Sequence, residues 1–487
     1  MHFSLLSIPI ILFFFGGLAI FPLKRSVADA LSLIISGLSL AFESYGVYMY
    51  FSSNQVLTIA SFYTHKSLGL IFGLTVDSAS VIMGLLLTII AFLIFIYSIQ
   101  FMKKTQEESS KKGFLYGWMS IALAASLFAI YSISLIQLII SLEVMAVAFA
   151  LLVNFYGINK GKGWKLLVIQ NLAVILLLFV LGYTHRSSLY LMSFLSPHEK
   201  IIAFILMLFA AFTMSSQFFF YSWLPDSTQA PIPVTALIHS VTLVNVGIIF
   251  FLRIVQFMEL PKFAFNYVWP FTVAMIILMI IYYPLQKDAK KLLAYTTISQ
   301  AAISYTTISY GILGQQIGLQ VGFYQMINHS IIKVIAFLSV GFFIYYLGTS
   351  DFEKIKGIRK ILPAASVAWF LSFFGLAGIL PLGLFFGKMF TIMATMHGIG
   401  FTTRLIPLVI LLDSGVFLLV VIYWFKDIFF GEPTLIKDLS VILRRPQGLM
   451  VASVIVLIIL GSVLPWVSLG LAKRIVFINT LYKVMAP

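Results

Sequence analysis

The chain has 487 residues, of which 61% are hydrophobic and 10% are charged, and its mean hydropathy is +1.06. This composition excludes a water-soluble globular protein and predicts an integral membrane protein. The absence of cysteine excludes disulfides and thiolate metal sites, and the seven histidines are too scattered for a zinc motif. The net charge of +15 comes from short basic clusters between apolar runs, which argues against a nucleic-acid partner.

Fourteen apolar runs follow one another along the chain. Each is long enough to cross the hydrocarbon core, which takes about 20 helical residues. Because backbone groups in lipid must be paired within their own segment, every run should be helical. The first run lacks the flanks of a signal peptide and is predicted to be a membrane helix. The predicted spans are 3–23, 27–51, 69–101, 114–132, 134–157, 165–184, 200–222, 229–252, 265–285, 292–312, 317–347, 363–395, 405–425 and 447–471.

The basic residues are distributed unevenly between the loops. Of the 31 lysines and arginines, 20 lie in odd-numbered loops and 9 in even-numbered loops or at the termini. The positive-inside rule therefore predicts a multi-pass protein of the cell membrane with both termini on the outer face. Only Lys333 and Lys388 remain, and both fall inside apolar runs. The polar loops are short, so no soluble domain is predicted.

Two of the runs contain helix-breaking residues. In WLPDSTQAPIPVTALIHS, residues 223–240, three prolines cannot sit in an uninterrupted helix, and an aspartate is placed to cap the helix that follows. In GLAGILPLGLFFGK, residues 375–388, a proline and several glycines should interrupt a second helix. The predicted helix-break residues are Pro225, Asp226, Pro231, Pro233 and Pro381.

Two interrupted helices, each preceded by a polar helix, indicate an internal duplication with inverted topology. The predicted fold class is an all-α polytopic membrane protein of about fourteen transmembrane helices, with two inverted five-helix repeats in which helices 7 and 12 are broken. The predicted divisions are N-terminal helices at 1–113, a first repeat at 114–252, a second repeat at 265–425, and a C-terminal loop and helix at 426–487.

Seven ionisable residues lie at membrane depth. Such a group costs several kcal/mol unless it faces a partner or a wet cavity, so each is a functional candidate. A mixture of acid, base and imidazole suits a chain of groups along which protons hop. The seven are Asp77, Glu143, His239, His329, Lys333, Lys388 and Asp413.

Each candidate also has a structural interpretation. Glu143 lies about ten residues into its helix, roughly 15 Å from the end, which is too deep to reach the interface, but a structural ion pair stays open. His329 and Lys333 share a helix face, although a histidine capped by a carbonyl gives the same pattern. For Asp77, which can cap or pair near a helix start, and for Asp413, a lone acid without a partner in the sequence, the structural role is at least equally supported.

Several motifs resemble one known family. WLPDSTQAPIPVTALIHSVTLVNVG is similar to the signature of the proton-conducting membrane transporters, the antiporter-like subunits of respiratory complex I, membrane-bound hydrogenases and Mrp sodium/proton antiporters. The resemblance covers roughly residues 70 to 425 in the family's order. The further matching motifs are FGLTVDSASVIMGLLLTIIAFLIFIYSIQFM, SLEVMA, QKDAKKLLAYTTISQAAISY, NHSIIKVIAFLSVG and GLAGILPLGLFFGK.

The resemblance implies a fourteen-helix fold with a central polar axis that connects two half-channels. Matched by position, the fifth helix supplies an acid, the eighth a histidine, the eleventh a histidine and a lysine, and the twelfth a lysine near the exit. A further lysine resembles that of the sixth helix, although it could simply lie at the interface. The implied proton path consists of Glu143, Lys165, His239, His329, Lys333 and Lys388.

One departure from the family pattern concerns the seventh helix. The family usually has a lysine nine residues before the signature tryptophan, paired with the fifth-helix glutamate, and this chain has Met214 there. The usual proline four residues before the tryptophan is Phe219. A neutral methionine cannot switch charge, so Glu143 lacks its expected partner.

Three explanations for this departure stay open. Glu143 pairs with a lysine elsewhere, such as Lys165; or the chain does not pump by the standard scheme; or the first half is a passive relay of Ser215, Ser216 and His239.

The predicted function is a proton- or sodium-translocating antiporter-like subunit of a multi-subunit, redox-driven complex in the lipid bilayer, with other membrane and peripheral subunits as partners. No catalytic site, no metal and no cofactor are predicted on this chain. One alternative is the cation-flux subunit of an inorganic-carbon accumulation system. Another is a structural antiporter-like subunit that has lost pumping.

Overall fold

The computed structural model describes residues 2–53, 57–65, 70–102, 111–156, 159, 161–380, 382–396, 400–432 and 448–472. A 3₁₀ turn, His2–Ser7, precedes the first helix. The elements that follow are α1 (Ile8–Ile20), α2 (Arg25–Ser52), β1 (Leu57–His65), β2 (Leu70–Asp77), α3 (Ser78–Phe101), α4 (Lys112–Ile130), α5 (Leu135–Tyr156) and α6 (Gly161–Thr184).

The central part of the chain contains several interrupted helices. Its elements are the 3₁₀ turn Leu189–Phe194, α7 (Pro197–Met214), α8 (Trp223–Ser227), α9 (Ile232–Ser240), α10 (Leu243–Phe257), the 3₁₀ turn Lys262–Tyr267, α11 (Trp269–Tyr282) and the 3₁₀ turn Tyr283–Leu285. The remaining elements are α12 (Ala289–Ser309), the 3₁₀ turn Tyr310–Leu313, α13 (Gln316–Leu347), the 3₁₀ turn Ile358–Lys360, α14 (Pro363–Ala377), α15 (Gly383–Met396), α16 (Thr402–Phe430) and α17 (Gly448–Ala472).

Ten helical segments in the described ranges are long and apolar enough to span a membrane, and four shorter apolar helices accompany them. The prediction of a helical, multi-pass membrane protein is confirmed, whereas the count of fourteen crossings and the division into two inverted repeats stay predictions. The 32-residue helix α13 packs against α9, α12, α14, α15 and α17, so it lies at the centre of the second half.

The predicted helix at 69–101 begins later than expected. Residues 70–77 form strand β2, which pairs antiparallel with β1. The helix starts at Ser78 because Asp77 caps it: the Asp77 carboxylate accepts from the Ser80 backbone N–H at 2.9 Å, and the Ser80 hydroxyl oxygen accepts from the Asp77 N–H at 3.0 Å. The prediction of a helix is therefore wrong for residues 70–77.

The first helix break lies upstream of the prolines that predicted it. Helix α7 ends at Met214, and Ser216 and Phe219 adopt φ angles of 59° and 71°, which a right-handed helix does not contain. Pro225 lies inside the short α8. Two non-glycine residues with left-handed backbone thus make the turn. Because neither is a glycine or a proline, the sequence did not indicate a break at this point.

The two later prolines mark the start of α9. Pro231 is its N-cap residue and Pro233 lies in its first turn. Backbone N–H groups in the first turn have no acceptor within the helix, so the N–H that proline lacks costs no helical hydrogen bond. The predicted capping of this helix by Asp226 is wrong, because no side-chain cap is present and the Asp226 carboxylate instead binds Lys165 and Lys162, at 2.8 and 3.3 Å.

The predicted helix at 229–252 is also interrupted, at Val241 and Thr242 between α9 and α10. Side chains bind the carbonyls that this break frees: Thr242 Oγ1 donates to Leu237 O at 2.9 Å, and Asn245 Nδ2 donates to Ser240 O. Irregular backbone at membrane depth is tolerated because its polar groups find such partners inside the protein.

The second predicted break lies between α14 and α15. Helix α14 ends at Ala377 and is capped by Gly378, whose φ of 84° favours glycine. A Cβ there would sit 3.1 Å from Lys388 Cδ, so glycine also leaves room for the lysine stem. Pro381 lies outside the described residues.

Gly247 allows α10 to approach the end of α7. A methyl group added at this position would lie 2.9 Å from both Ala211 O and Met214 Cβ. Gly247→Ala is therefore expected to destabilise the protein by about 1–3 kcal/mol through overpacking. Thermal unfolding in detergent measures the loss, with Gly182→Ala as the control, because a Cβ at Gly182 meets nothing within 4 Å. Equal melting temperatures for the two variants would contradict this packing.

Candidate functional site

Helix α12 carries polar side chains through the buried interior of the second half. The segment TTISQ, residues 296–300, is unusually polar for a membrane helix, and all four of its polar side chains are buried. Each of them contacts a polar side chain from another element, as the next paragraphs describe. These positions are Thr296, Thr297, Ser299 and Gln300.

Lys333 of α13 is fully buried against α12. Its ammonium donates hydrogen bonds to Leu293 O and to Thr296 Oγ1. His329 lies four residues earlier on the same face, and neither of its ring nitrogens has a hydrogen-bond partner among the described residues. The predicted pair of histidine and lysine on one helix face therefore points into the interior.

His239 reaches α12 from the last turn of α9. Its Nδ1 lies 3.2 Å from Thr297 Oγ1, and its ring packs on Phe337 with centroids 4.8 Å apart. Its Nε2 is buried without a partner in the described part of the chain. Because Thr296 and Thr297 are adjacent, His239 and Lys333 bind neighbouring residues of one helix.

Lys388 and Asp413 form a buried ion pair. Lys388 Nζ lies 3.4 Å from Asp413 Oδ2 and donates to Ser414 Oγ at 2.8 Å and Leu376 O at 3.1 Å. The Leu376 carbonyl is freed by the helix break after α14. The expectation that Asp413 is a lone acid is wrong, because its partner lies 25 residues upstream on another helix.

Asp413 also accepts three neutral hydrogen bonds. The donors are the Tyr283 hydroxyl at 2.8 Å, the Ser299 hydroxyl at 2.6 Å and the Gln300 amide at 3.3 Å. Gln325 Nε2 in turn donates to Gln300 Oε1 at 2.9 Å. The ion pair is thus joined through α12 to α13.

Gln325, His329 and Lys333 recur every four residues and therefore lie along one face of α13. Side chains one turn apart are separated by about 5–6 Å at Cβ, which is within reach of a shared proton acceptor or a bridging water. Polar groups on and beside α12 therefore extend from His239 of α9 to Lys388 of α15, and His329 lies among them without a hydrogen bond to its neighbours. We call this set the α12 axis: His239, Thr297, Thr296, Lys333, His329, Gln325, Gln300, Asp413 and Lys388.

The first half has no equivalent lysine at Met214, which is fully buried. Ser215 Oγ donates to Val244 O at 2.7 Å and lies 2.9 Å from the Tyr305 hydroxyl, while Ser216 Oγ donates to Tyr221 O. Neither serine is hydrogen-bonded to the other or to His239. The three groups of the predicted passive relay are therefore not connected to one another in the structure.

Lys165 and Glu143 are not partners. Lys165 Nζ binds the Asp226 carboxylate at 2.8 Å and Ser222 O at 3.2 Å, and its side chain is 39% exposed. This pair fastens α6 to α8. The explanation that Lys165 replaces the missing partner of Glu143 is therefore wrong. Glu143 is half-buried and makes no hydrogen bond or ion pair with any described residue.

Two buried carboxylates in the N-terminal helices form further polar contacts. Asp29 pairs with Lys112 at 2.7 Å and accepts from Tyr116, and Glu43 accepts from the Tyr131 hydroxyl. The prediction placed Lys112 in a loop and overlooked both acids, although an acid inside an apolar run was the available signal. The residues described here contain no cluster of three or more potential metal ligands.

Asp77 has a structural role beyond capping. Its carboxylate receives both terminal nitrogens of Arg253, with Nη2 at 2.7 Å from Oδ1, and Arg253 Nη1 also donates to Gln256 Oε1 at 3.2 Å. A bidentate guanidinium–carboxylate pair fixes geometry as well as charge. The capping and pairing interpretation of Asp77 matches this geometry, which ties α3 to α10.

Two family models match the chain. One, described as NADH:quinone oxidoreductase/Mrp antiporter, TM, covers residues 132–412, and one, described as NADH-ubiquinone oxidoreductase (complex I), chain 5 N-terminus, covers residues 62–111. Among curated relatives, Na⁺/H⁺ antiporter subunit A1 of Staphylococcus haemolyticus is 29% identical over 69% of this chain, and that of Staphylococcus aureus is 26% identical over 83%. The chain spans 44% and 54% of their respective lengths, about half.

Two solved structures share the fold. A chain of the Mrp complex from a Dietzia species superimposes with a TM-score of 0.83 at 20% identity, covering 96% of this chain and 52% of that one. A chain of the membrane-bound sulfane sulfur reductase, an archaeal respiratory membrane complex, gives 0.81 at 19% identity and covers 96% of both chains.

Proposed function

The chain belongs to the NADH:quinone oxidoreductase/Mrp antiporter family of membrane proteins, and we propose that it moves protons or sodium ions across the cell membrane as a subunit of a multi-subunit, redox-driven complex. The other membrane and peripheral subunits supply the driving reaction, and this chain holds no cofactor. Both termini lie on the outer face. The names of the relatives, Na⁺/H⁺ antiporter subunits, support ion transport, and the two complexes that share the fold support partner subunits.

The observation that carries the proposal is the α12 axis. Ionisable groups at this depth are expensive unless they are paired or functional. His329 can accept a proton on one ring nitrogen and release one from the other, and both nitrogens lack a partner among the described residues. The axis therefore offers groups that can each hold a proton in turn: His239, Lys333, His329, and the pair of Lys388 and Asp413.

The ion pair at the end of the axis is the proposed switch. The attraction between the Lys388 ammonium and the Asp413 carboxylate is strong only while both are charged. A proton that reaches Asp413 removes its charge and releases Lys388, and loss of that proton restores the pair. The three neutral donors around Asp413 give its carboxylate hydrogen-bond partners that do not depend on Lys388.

A structural role without pumping is the second candidate, and Met214 is the observation that favours it. A chain without a switching group in its first half could anchor or space neighbouring subunits that transport ions themselves. In that case the α12 axis would be a remnant, and changes in it would leave ion flux unaltered.

Ion flux in everted membrane vesicles that contain the complete complex tests the proposal. The wild-type complex is expected to collapse an imposed pH gradient when the counter-ion is supplied, and omitting sodium separates proton conduction from sodium/proton exchange. Vesicles from cells in which this subunit is replaced by a variant with Lys333 and Lys388 both changed to alanine provide the comparison. Equal flux in the two preparations would support the structural role instead.

A further inference from the structure

Helix α2 exposes an apolar face and buries a polar one. The residues that point away from the protein are large, apolar and 46–67% exposed: Val27, Ile34, Leu38, Tyr45 and Tyr48. Five buried polar residues recur every three or four positions and therefore share the other face of the helix: Asp29, Ser32, Ser36, Ser39 and Glu43. We call this set the α2 stripe. Such groups are expensive at membrane depth unless they are paired or functional.

The α2 stripe extends from near one end of the helix into the membrane interior. Asp29 lies four residues from the start of α2, and Glu43 lies fourteen residues further along, or about 21 Å at 1.5 Å per residue. Between them, the Ser32 and Ser36 hydroxyls donate to Asp29 O and Ser32 O at 2.9 and 2.8 Å and keep lone pairs that can accept from a water. The stripe thus provides a polar group at each helical turn, a spacing that a bridging water can span.

Glu43 is fully buried, and no lysine or arginine in the described residues forms an ion pair with it. Its Oε1 accepts from the Tyr131 hydroxyl at the end of α4, whereas its Oε2 has no hydrogen-bond partner in the described ranges, and neither has Ser39 Oγ one turn away. Gly84 of α3 makes room for the acid, because a Cβ there would collide with Glu43 Oε1 and with the Tyr131 hydroxyl. A neutral carboxylic acid costs far less to bury than a lone carboxylate, and it can donate a hydrogen bond from Oε2.

The buried cations near the N-terminal helices are already paired. Lys112 of α4 pairs with Asp29, and Arg253 of α10 pairs with Asp77 at the start of α3. Either cation could reach Glu43 only by leaving another buried carboxylate without its counter-charge, which is strongly destabilising. A bound proton is therefore the available means of neutralising Glu43.

The α2 stripe stops beyond Glu43. Gly46, three residues further along the same face, packs against Leu6, and a Cβ at Gly46 would collide with the Leu6 side chain. Leu6 is itself fully buried. The next buried polar group of α2 is the Tyr50 hydroxyl, which lies 3.1 Å from Ser78 Oγ. An apolar side chain thus separates Glu43 from the polar contact at Tyr50.

We propose that Glu43 is a proton-binding site separate from the α12 axis, and that it exchanges its proton with water at the membrane surface near Asp29, along the α2 stripe. On uptake, a proton passes through hydroxyl groups and bridging waters and forms an O–H bond at Glu43 Oε2. On release, that bond breaks and the proton returns by the same route. Because Leu6 closes the other side, the site stores a proton rather than conducting it across the membrane. The inference does not require ion transport by the α12 axis, because α2 packs mainly against α1, α3 and α4.

Infrared spectroscopy of the purified complex tests whether the proton is bound. The difference between spectra of the wild type and the nearly isosteric Glu43→Gln variant isolates this side chain. At neutral pH the wild type should show the carbonyl band of a protonated carboxyl group that the variant lacks, with no difference in the carboxylate bands. A complex with Lys333 and Lys388 both changed to alanine should keep this band, because the site is separate from the α12 axis.

Deuterium exchange tests the route. After transfer to D₂O the Glu43 band shifts as its proton is replaced. Ser39→Ala is expected to slow this shift roughly tenfold, because it removes the hydroxyl one turn from the carboxyl group and with it one hydrogen bond along the route. Ser44→Ala is the matched control, since Ser44 lies beside Glu43 on the exposed side of α2, and it should exchange at the wild-type rate.

Four results would overturn the inference: a Glu43 signal among the carboxylate bands, a signal that shifts when sodium is added at constant pH, loss of the band in the Lys333 and Lys388 variant, or exchange at the wild-type rate in Ser39→Ala. These outcomes are distinguishable from failure of the proposed function. A complex that conducts no ions and keeps the band overturns only the transport role, whereas a complex that transports ions without the band overturns only the proton site.

Discussion

Lys333→Ala is expected to lower proton transport by the complete complex roughly a hundredfold, the scale on which a positioned proton-transfer group acts. The ammonium lies between α13 and α12, bound to Leu293 O and Thr296 Oγ1, and one turn from His329. Alanine removes the charge and leaves His329 without an ionisable neighbour on that side. Proton uptake by vesicles containing the intact complex measures the effect.

Two further variants separate charge from packing. Lys333→Met keeps most of the side-chain volume but not the charge, so it should be as inactive as alanine. Lys262→Ala changes an exposed lysine and should transport at the wild-type rate. Full activity of Lys333→Met, with unchanged subunit composition, would show that the ammonium takes no part in transport.

Arg253→Met is expected to lower the free energy of unfolding by about 3–5 kcal/mol, the cost of leaving one partner of a buried ion pair without its counter-charge. Arg253 and Asp77 are both about 5% exposed, and the bidentate contact joins α10 to the start of α3. The loss should appear as a lower melting temperature of the detergent-solubilised complex.

The double variant Asp77→Asn, Arg253→Met identifies the cause. Asparagine still caps α3, so this variant removes the uncompensated charge and keeps the cap. It should recover most of the stability that Arg253→Met loses. If the single variant melts with the wild type, or the double variant is no more stable than the single one, the pair does not stabilise the fold as described here.

The sequence identified buried charge well because hydrocarbon makes each such residue conspicuous. Lys333 and Lys388 stood out as the only basic residues inside apolar runs, and the structure buries both. Partners were harder to predict. Asp413 joins Lys388 only because α15 and α16 pack side by side, and nothing in the spacing of the two residues shows that contact.

Helix ends were predicted where a residue type dictates the backbone and missed where packing does. Prolines correctly marked the start of α9, whereas Ser216 and Phe219 turn the chain after α7 without any glycine or proline. The strand at 70–77 was missed because a short apolar run suits a helix or a strand equally, and its partner at 57–65 lies between two predicted spans.

Glu143 shows a third kind of limit. The sequence placed it at membrane depth, and the depth prediction used only the length of its helix. Whether it faces inward or outward depends on the rotation of α5 against α4 and α6, which the apolar pattern of a membrane helix does not determine. The sequence showed that the expected partner of Glu143, a lysine at position 214, is replaced by methionine. It did not show that Glu143 faces outward.

Proton uptake by vesicles that contain the complex with Lys388→Ala, Asp413→Asn or both changes tests the central claim most directly. If protons cross through the α12 axis and the two residues switch as a pair, each single variant should transport at less than roughly a tenth of the wild-type rate, and the double variant no more slowly than the singles. Wild-type transport by either single variant, in a complex of unchanged composition, would contradict the account.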